Sequence, residues 1–152
     1  QITNNKDYMY IIGIGNDTIR NNIYINNPEL NYINIIHPNS IISTSASIGY
    51  GNVICAGVII QAYVKINNNN IINTKSSIDH DSIIMNSCSI CPNATICGGV
   101  YIKDKCFIGA SATIIQGIII DKHSIIGAGS VIIRNIEEGQ KIVGNPGRII
   151  DS

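Results

Sequence analysis

The sequence predicts an all-β fold, a parallel β-helix of hexapeptide repeats preceded by a partial α/β segment, and three observations carry that expectation. Isoleucine occupies every sixth position from Ile36 to Ile132, seventeen times without a miss. Four residues after most of these isoleucines stands a small side chain, as at Ala46, Val58, Ser76, Cys88, Ala94 and Ser130. The residue just after the isoleucine is often Gly, Asp or Asn, as at Gly49, Asn67, Asp79 and Gly127. A period of six would spread the isoleucines around a helix of 3.6 residues per turn, whereas strands of period two hold them on one face. The isoleucine and the small residue two positions before it therefore point inward. Three such strands close a triangular coil of eighteen residues, and coils stack about 4.8 Å apart through parallel hydrogen bonds. Seventeen hexads make between five and six coils.

Residues eighteen apart then lie on top of one another. Ile36, Ile54, Ile72, Ile90, Ile108 and Ile126 are expected to form one internal column. Asn34, Asn52 and Asn70 form an inward column continued by Cys88, Cys106 and Ser124, in which stacked amides bond their neighbours. The five cysteines, Cys55, Cys88, Cys91, Cys97 and Cys106, sit where the repeat wants small residues and are expected to be free thiols of a reducing compartment. Cys88 and Cys91 form a CxxC, but without a second pair or histidine partners no zinc site is expected.

Both ends depart from the repeat. Residues 8–14 read as a strand, Gly15 and Asn16 as a turn, and residues 17–26 as a short helix that Asp17 is placed to cap. A second strand is expected near residues 31–35. Beyond Ile132, Glu137, Glu138 and Gly139 break the period, and Gly144, Asn145, Pro146, Gly147 and Arg148 read as a turn before a last strand. The expected organisation is a front segment over 1–34, the β-helix over 35–136 and a C-terminal turn and strand over 137–152.

Composition narrows the function. Isoleucine makes up about a quarter of the chain and asparagine about an eighth. Ten basic and ten acidic residues leave no net charge, and the basic ones are scattered, so nucleic acid is not an expected partner. No apolar run approaches the roughly 20 residues needed to cross a bilayer, and the first residues resemble no signal peptide. The expectation is a cytoplasmic protein with no membrane partner.

One corner of the coil stands out chemically. His80 follows Ile78 by two positions, with Ala62 in the coil below and Gly98 in the coil above. Those two neighbours leave the imidazole open on both sides, as a general base requires. Asp79 and Asp81 flank it, and a carboxylate there would fix its tautomer and raise its basicity. His37, in Ile-His-Pro at the start of the helix, reads as structural, and His123, beside Asp121 and Lys122, reads as solvated.

Several segments give a more specific expectation. Ile71-Ile-Asn-Thr running into Ser77-Ile-Asp-His-Asp-Ser resembles the catalytic segment of the sugar acetyltransferases that N-acetylate nucleotide-linked 4-amino-4,6-dideoxy sugars, and of the related sialic acid O-acetyltransferases. Ile35-Ile-His-Pro, Cys91-Pro-Asn-Ala, Gly98-Gly-Val, Ile108-Gly-Ala, Ile126-Gly-Ala-Gly-Ser-Val and Gly144-Asn-Pro-Gly-Arg extend the resemblance over nearly the whole chain. It implies a left-handed β-helix and a homotrimer with active sites between subunits. It also implies direct transfer from acetyl-CoA without a metal. In that scheme His80 is the base, Asp81 raises its basicity, and the Gly98 N–H stabilises the oxyanion. Ala110 and Ala128 match positions that touch acetyl-CoA through the backbone. Ser89 stands where the family often carries a second histidine near acetyl-CoA, and it can hydrogen-bond but not carry a proton.

Tyr10-Ile-Ile-Gly-Ile-Gly-Asn-Asp-Thr-Ile-Arg resembles the last strand and helix of the family's nucleotide-sugar-binding domain, with Gly15 at a substrate-contacting glycine. The sequence starts without Met and lacks the Gly-rich loop that opens that domain, so the front segment is expected to be a truncated or naturally reduced version of it. Two other functions are compatible with the residues: transfer to the hydroxyl of a sialic acid or other sugar, and a non-enzymatic β-helix scaffold. A γ-type carbonic anhydrase would need three histidines around zinc, and His37, His80 and His123 fall on unrelated corners. An ice-binding surface would need a repeated Thr face, which Thr44, Thr74, Thr95 and Thr113 do not make.

Overall fold

The computed structural model describes residues 7–150, so the outermost residues of the two terminal segments lie outside it. The isoleucine period is realised as two-residue strands that stack into about six turns with three parallel faces. Face one runs from Ile35–Ile36 to Ile125–Ile126, face two from Ile41–Ile42 to Val131–Ile132, and face three from Ser47–Ile48 to Ile119–Ile120. Register is eighteen from Ile35 to Ile132, with Ile54 on Ile72, Ile78 on Ile96 and Ile102 on Ile120. From Ile54 to Ile132 each repeat isoleucine is at most 2% exposed, and the small inward residues Val58, Ser76, Ala94 and Ser130 are fully buried. Large and small side chains therefore alternate around one continuous core, which excludes water from the parallel backbone ladders.

Ile36 departs from its expected place in the internal column. It is 44% exposed, because it belongs to the first coil and among the described residues nothing covers it from below. The asparagine column is present, but its main bonds differ from the expected amide stack. Asn34 Oδ1 accepts the backbone N–H of Asn52 at 2.9 Å, Asn52 Oδ1 that of Asn70 at 2.9 Å, and Asn70 Oδ1 that of Cys88 at 2.7 Å. A side-chain amide bond joins only Asn34 and Asn52 in this column, at 3.2 Å. Corner amides lie outside the strand ladder and need an acceptor, so the side chains supply one. The Cys88 and Cys106 thiols donate instead to the carbonyls of Lys103 and Asp121, each at 3.0 Å, and all five cysteines are free. Burial pushes the Cys88 thiol well above its usual range.

From Gly51 to Gly129 every corner turns through the left-handed region at the third residue after the isoleucine. Glycine fills that place at Gly57 and Gly99, but Asn69, Asp81, Ser87 and His123 also adopt it, with φ between 58° and 61°. Asp81 thus owes its backbone conformation to the coil, which must bend there whatever residue it carries.

At the front, α1 (Asp17–Ile25) is capped by Asn16, not by the expected Asp17. Asn16 is extended, and its Oδ1 accepts the Ile19 N–H at 3.0 Å, while Asp17 is already helical and accepts the adjacent Thr18 N–H. The two expected strands at 8–14 and 31–35 shrink to a parallel bridge between Tyr10 and Tyr32, followed by the first face-one strand at Ile35–Ile36. A pairing this short does not extend into a ladder. They pack as a small cluster of Ile12, Leu30 and Tyr32, with the Tyr24 ring 4.9 Å from that of Tyr32.

At the far end, Ile142 pairs with Ile126 and Ile136 with Ile120, sixteen residues on instead of eighteen. The two residues are lost between Ile132 and Ile136, ahead of the expected break at Glu137 and Glu138, and the spacing of six resumes from Ile136 to Ile142. The last strand, Arg148–Ile149, returns antiparallel on Lys141–Val143.

Candidate active site

His80 begins the turn between faces two and three. Stacking holds the corner on both sides: Asp81 N–H donates to Ala62 O at 3.1 Å, and Gly99 N–H donates to His80 O at 2.9 Å. His80 and Asp81 expose about three fifths of their side chains, and His80 Nδ1 lies 2.8 Å from Asp81 Oδ2. The Nδ1 proton donated to that carboxylate leaves Nε2 with its lone pair directed away from Asp81. The hydrogen bond to Asp81 raises the His80 pKa above its ordinary value, and the charge of Asp79 adds to the effect. Asp79 Oδ1 also accepts the His80 backbone N–H at 2.8 Å.

Gly98 lies against the exposed side of the ring. A Cβ at that position would stand 2.7 Å from His80 Nε2 and 2.8 Å from Cε1, closer than real contacts allow. The Gly98 N–H makes no hydrogen bond among the described residues, so a backbone donor stands unengaged beside a basic nitrogen. A depression of about 230 Å³ runs along face two past Ile59, Ser77 and Thr95 and ends at Asp79 and Cys97, one residue short of His80 and Gly98. The arrangement has the parts for proton abstraction next to a centre that develops negative charge.

The remaining candidates lie elsewhere on the prism. Ala110 and Ala128 stack on the corner between faces one and two, where Gly129 N–H donates to Ala110 O at 2.8 Å. Their own N–H groups make no hydrogen bond among the described residues. Gly15 sits on the exposed turn before α1, where added Cβ atoms at Gly13 or Gly15 would meet nothing within 4 Å. Ser89 is 6% exposed on face one, and its hydroxyl accepts from Arg20 Nη2 at 3.1 Å. The chain thus brings His80, Asp81 and Gly98 together, but Ala110 and Ala128 line a second edge and Gly15 belongs to the front segment.

Sequence reasoning missed Arg20. It is 1% exposed, the one charged side chain buried among the described residues. Burial lowers its pKa, and the charge of Asp17 works against that shift. Its guanidinium donates to Asn69 O, Ile14 O, Gly15 O, Ser87 O, Cys88 O and Ser89 Oγ at 3.0–3.3 Å. The one available signal was a lone arginine in a helix otherwise short of charge, which by itself names no partner.

The three histidines occupy three different corners, and His37 Nδ1 accepts the Asn39 N–H within its own turn. Among the described residues no group of three His, Cys, Asp or Glu side chains is placed to hold a metal ion. No helix there is long and apolar enough to cross a membrane.

Residues 99–134 match the family of bacterial transferase hexapeptide repeats, described as six repeats. No curated protein sequence matches the chain. Among solved structures, PerB from Caulobacter crescentus, in complex with CoA and GDP-perosamine, is 30% identical over 94% of this chain and 70% of that one, with a TM-score of 0.92. The acetyltransferase domain of PglB from Neisseria gonorrhoeae is 31% identical over 92% of this chain and 69% of that one, with a TM-score of 0.88. WeeI from Acinetobacter baumannii is 27% identical over 93% and 70%, with a TM-score of 0.89.

Proposed function

The chain belongs to the hexapeptide-repeat sugar acetyltransferases, and on that premise we propose that it moves the acetyl group of acetyl-CoA to the amine of a nucleotide-linked 4-amino-4,6-dideoxy sugar. The observation that carries this reading is the His80 corner, a hydrogen-bonded His–Asp pair with Gly98 against the ring. His80 Nε2 takes a proton from the sugar amine as the nitrogen attacks the thioester carbonyl. Asp81 stabilises the imidazolium that forms, and the Gly98 N–H donates to the oxyanion. Collapse forms the amide and breaks the carbon–sulfur bond, and His80 returns its proton to the departing CoA sulfur.

Ala110 and Ala128 offer small side chains and unengaged N–H groups in a row, which suits the amide-rich pantetheine arm of acetyl-CoA. Because these edges stand apart on one protomer, the complete site forms between neighbouring copies, and we assign a homotrimer. The Ser89 hydroxyl is engaged by Arg20, so we assign Ser89 a structural part and no contact with acetyl-CoA. The nucleotide sugar meets the Gly15 turn. We infer a cytoplasmic location, which the five free thiols support.

The test is a mass-spectrometric screen for an added acetyl group, offering acetyl-CoA with UDP-, GDP- and dTDP-linked 4-amino sugars and with sialic acid. Acetylation of a nucleotide amino sugar at nitrogen is expected. Product from sialic acid alone would transfer the assignment to a hydroxyl acceptor, and no product from any of them would favour a scaffold.

The raised pKa of His80 sets the pH dependence. The base must be neutral, so kcat/KM falls as pH drops through that pKa. Asp81→Asn removes the largest cause of the shift, so the acid limb of the profile is expected to move to lower pH while the plateau falls. An acid limb that stays in place would mean that Asp81 does not act through His80.

A further inference from the structure

We propose that Arg20 is a positioning residue for the nucleotide sugar, which fixes the Gly15 turn to the β-helix in the conformation that binds. The inference rests on the reading of Gly15 as a substrate contact. Arg20 Nη1 holds the carbonyls of Ile14 and Gly15, at 3.1 and 3.2 Å, where the chain enters the turn. Nε and Nη2 hold Asn69 O at 3.1 Å, Ser87 O at 3.0 Å and Cys88 O at 3.3 Å on two successive coils. Asn69 and Ser87 stack on one left-handed corner, with φ of 60° and 59° and an Asn69 Nδ2 to Ser87 Oγ bond of 2.9 Å. A planar, rigid cation thus ties the turn to two stacked coils of the β-helix.

Two observations separate this from ordinary packing. The acceptors are carbonyls and a hydroxyl, with no carboxylate paired to Arg20 among the described residues, so a charge is buried without the ion pair that usually accompanies it. An apolar side chain would fill the space without that desolvation, whereas the guanidinium adds direction. In addition, Gly13 and Gly15 face open space, so the turn has no side-chain packing there to hold its shape. Beside the Asn16 cap of α1 and the packing of Ile14, Arg20 is what ties it to the coils. Without these bonds the turn samples other conformations and must be ordered at each binding event, which weakens binding of the ligand that touches it. The His80 corner, between faces two and three, keeps its own contacts.

Arg20→Ala and Arg20→Lys test the assignment through steady-state kinetics with both substrates varied, at a temperature where circular dichroism shows each variant folded. Arg20→Ala is expected to raise KM for the nucleotide amino sugar about tenfold or more, equivalent to about 1.4 kcal/mol. KM for acetyl-CoA and kcat should stay within about twofold of wild type. Lysine keeps the charge but not the fork, so Arg20→Lys should show a smaller rise in the same parameter, and it decides the matter if Arg20→Ala does not accumulate as folded protein. An unchanged sugar KM, or all three parameters shifting together, overturns the role of Arg20 alone. A wild-type chain that turns over no nucleotide amino sugar overturns the functional reading as well.

Discussion

His80→Ala is expected to lower kcat for acetyl transfer by about 10²–10⁴-fold, the usual contribution of a general base, while leaving the fold and assembly intact. Loss of the base leaves binding and the oxyanion donor in place, so the fall should appear in kcat more than in either KM. The structural cost is small because the side chain is largely exposed and, among the described residues, its ring bonds only Asp81. The backbone bonds of the corner, Gly99 N–H to His80 O and Asp81 N–H to Ala62 O, do not depend on the imidazole. A variant that keeps near-normal kcat would remove His80 from the chemistry and leave the corner as a solvated turn.

Gly98→Ala should cost nearly as much, by a different route. A methyl group 2.7 Å from Nε2 cannot be accommodated without moving the ring, and the ring can move because it is exposed. The fold therefore survives, but the imidazole leaves its place between Asp81 and the reacting amine. Misplacement of a catalytic group by about 1 Å costs on the order of 100-fold, which is the expected fall in kcat. Gly98 does not occupy the left-handed region, so alanine brings no backbone strain to confuse the result; the neighbouring Gly99, at φ 67°, would. Thermal unfolding of Gly98→Ala should match wild type. Full activity would show that neither ring position nor space beside it matters.

Much of this was legible because a stacked coil turns sequence distance into spatial distance. The isoleucine period gave the three faces, and counting in eighteens put Ala62 and Gly98 on either side of His80. Asp81 could be named as a partner because adjacency in one turn needs no tertiary knowledge. Legibility failed where the repeat ends. Ile36 obeys the period yet lies exposed, since a column needs a coil beneath it as well as above. The coil after Ile126 is two residues short, which register alone reveals. Helix capping slipped by one residue because Asn16 and Asp17 are both competent caps and the backbone chose the first.

Arg20 marks the deeper limit. Besides Ile14 and Gly15, its partners lie 49 to 69 residues away along the chain, in a cluster of acceptors that forms only after the coils stack. The same packing explains Ser89. Its match to the place where the family often carries a second histidine suggested a contact for acetyl-CoA, while its hydroxyl is bonded to a guanidinium that no local pattern connects to it.

The most direct measurement is acetyl transfer from acetyl-CoA to the nucleotide-linked 4-amino sugars, followed by mass spectrometry for wild type and His80→Ala at matched oligomeric state. One added acetyl group on the sugar nitrogen with wild type, and none above the uncatalysed background with the variant, is the predicted result. Equal product from both, or none from wild type with any sugar offered, would contradict the account.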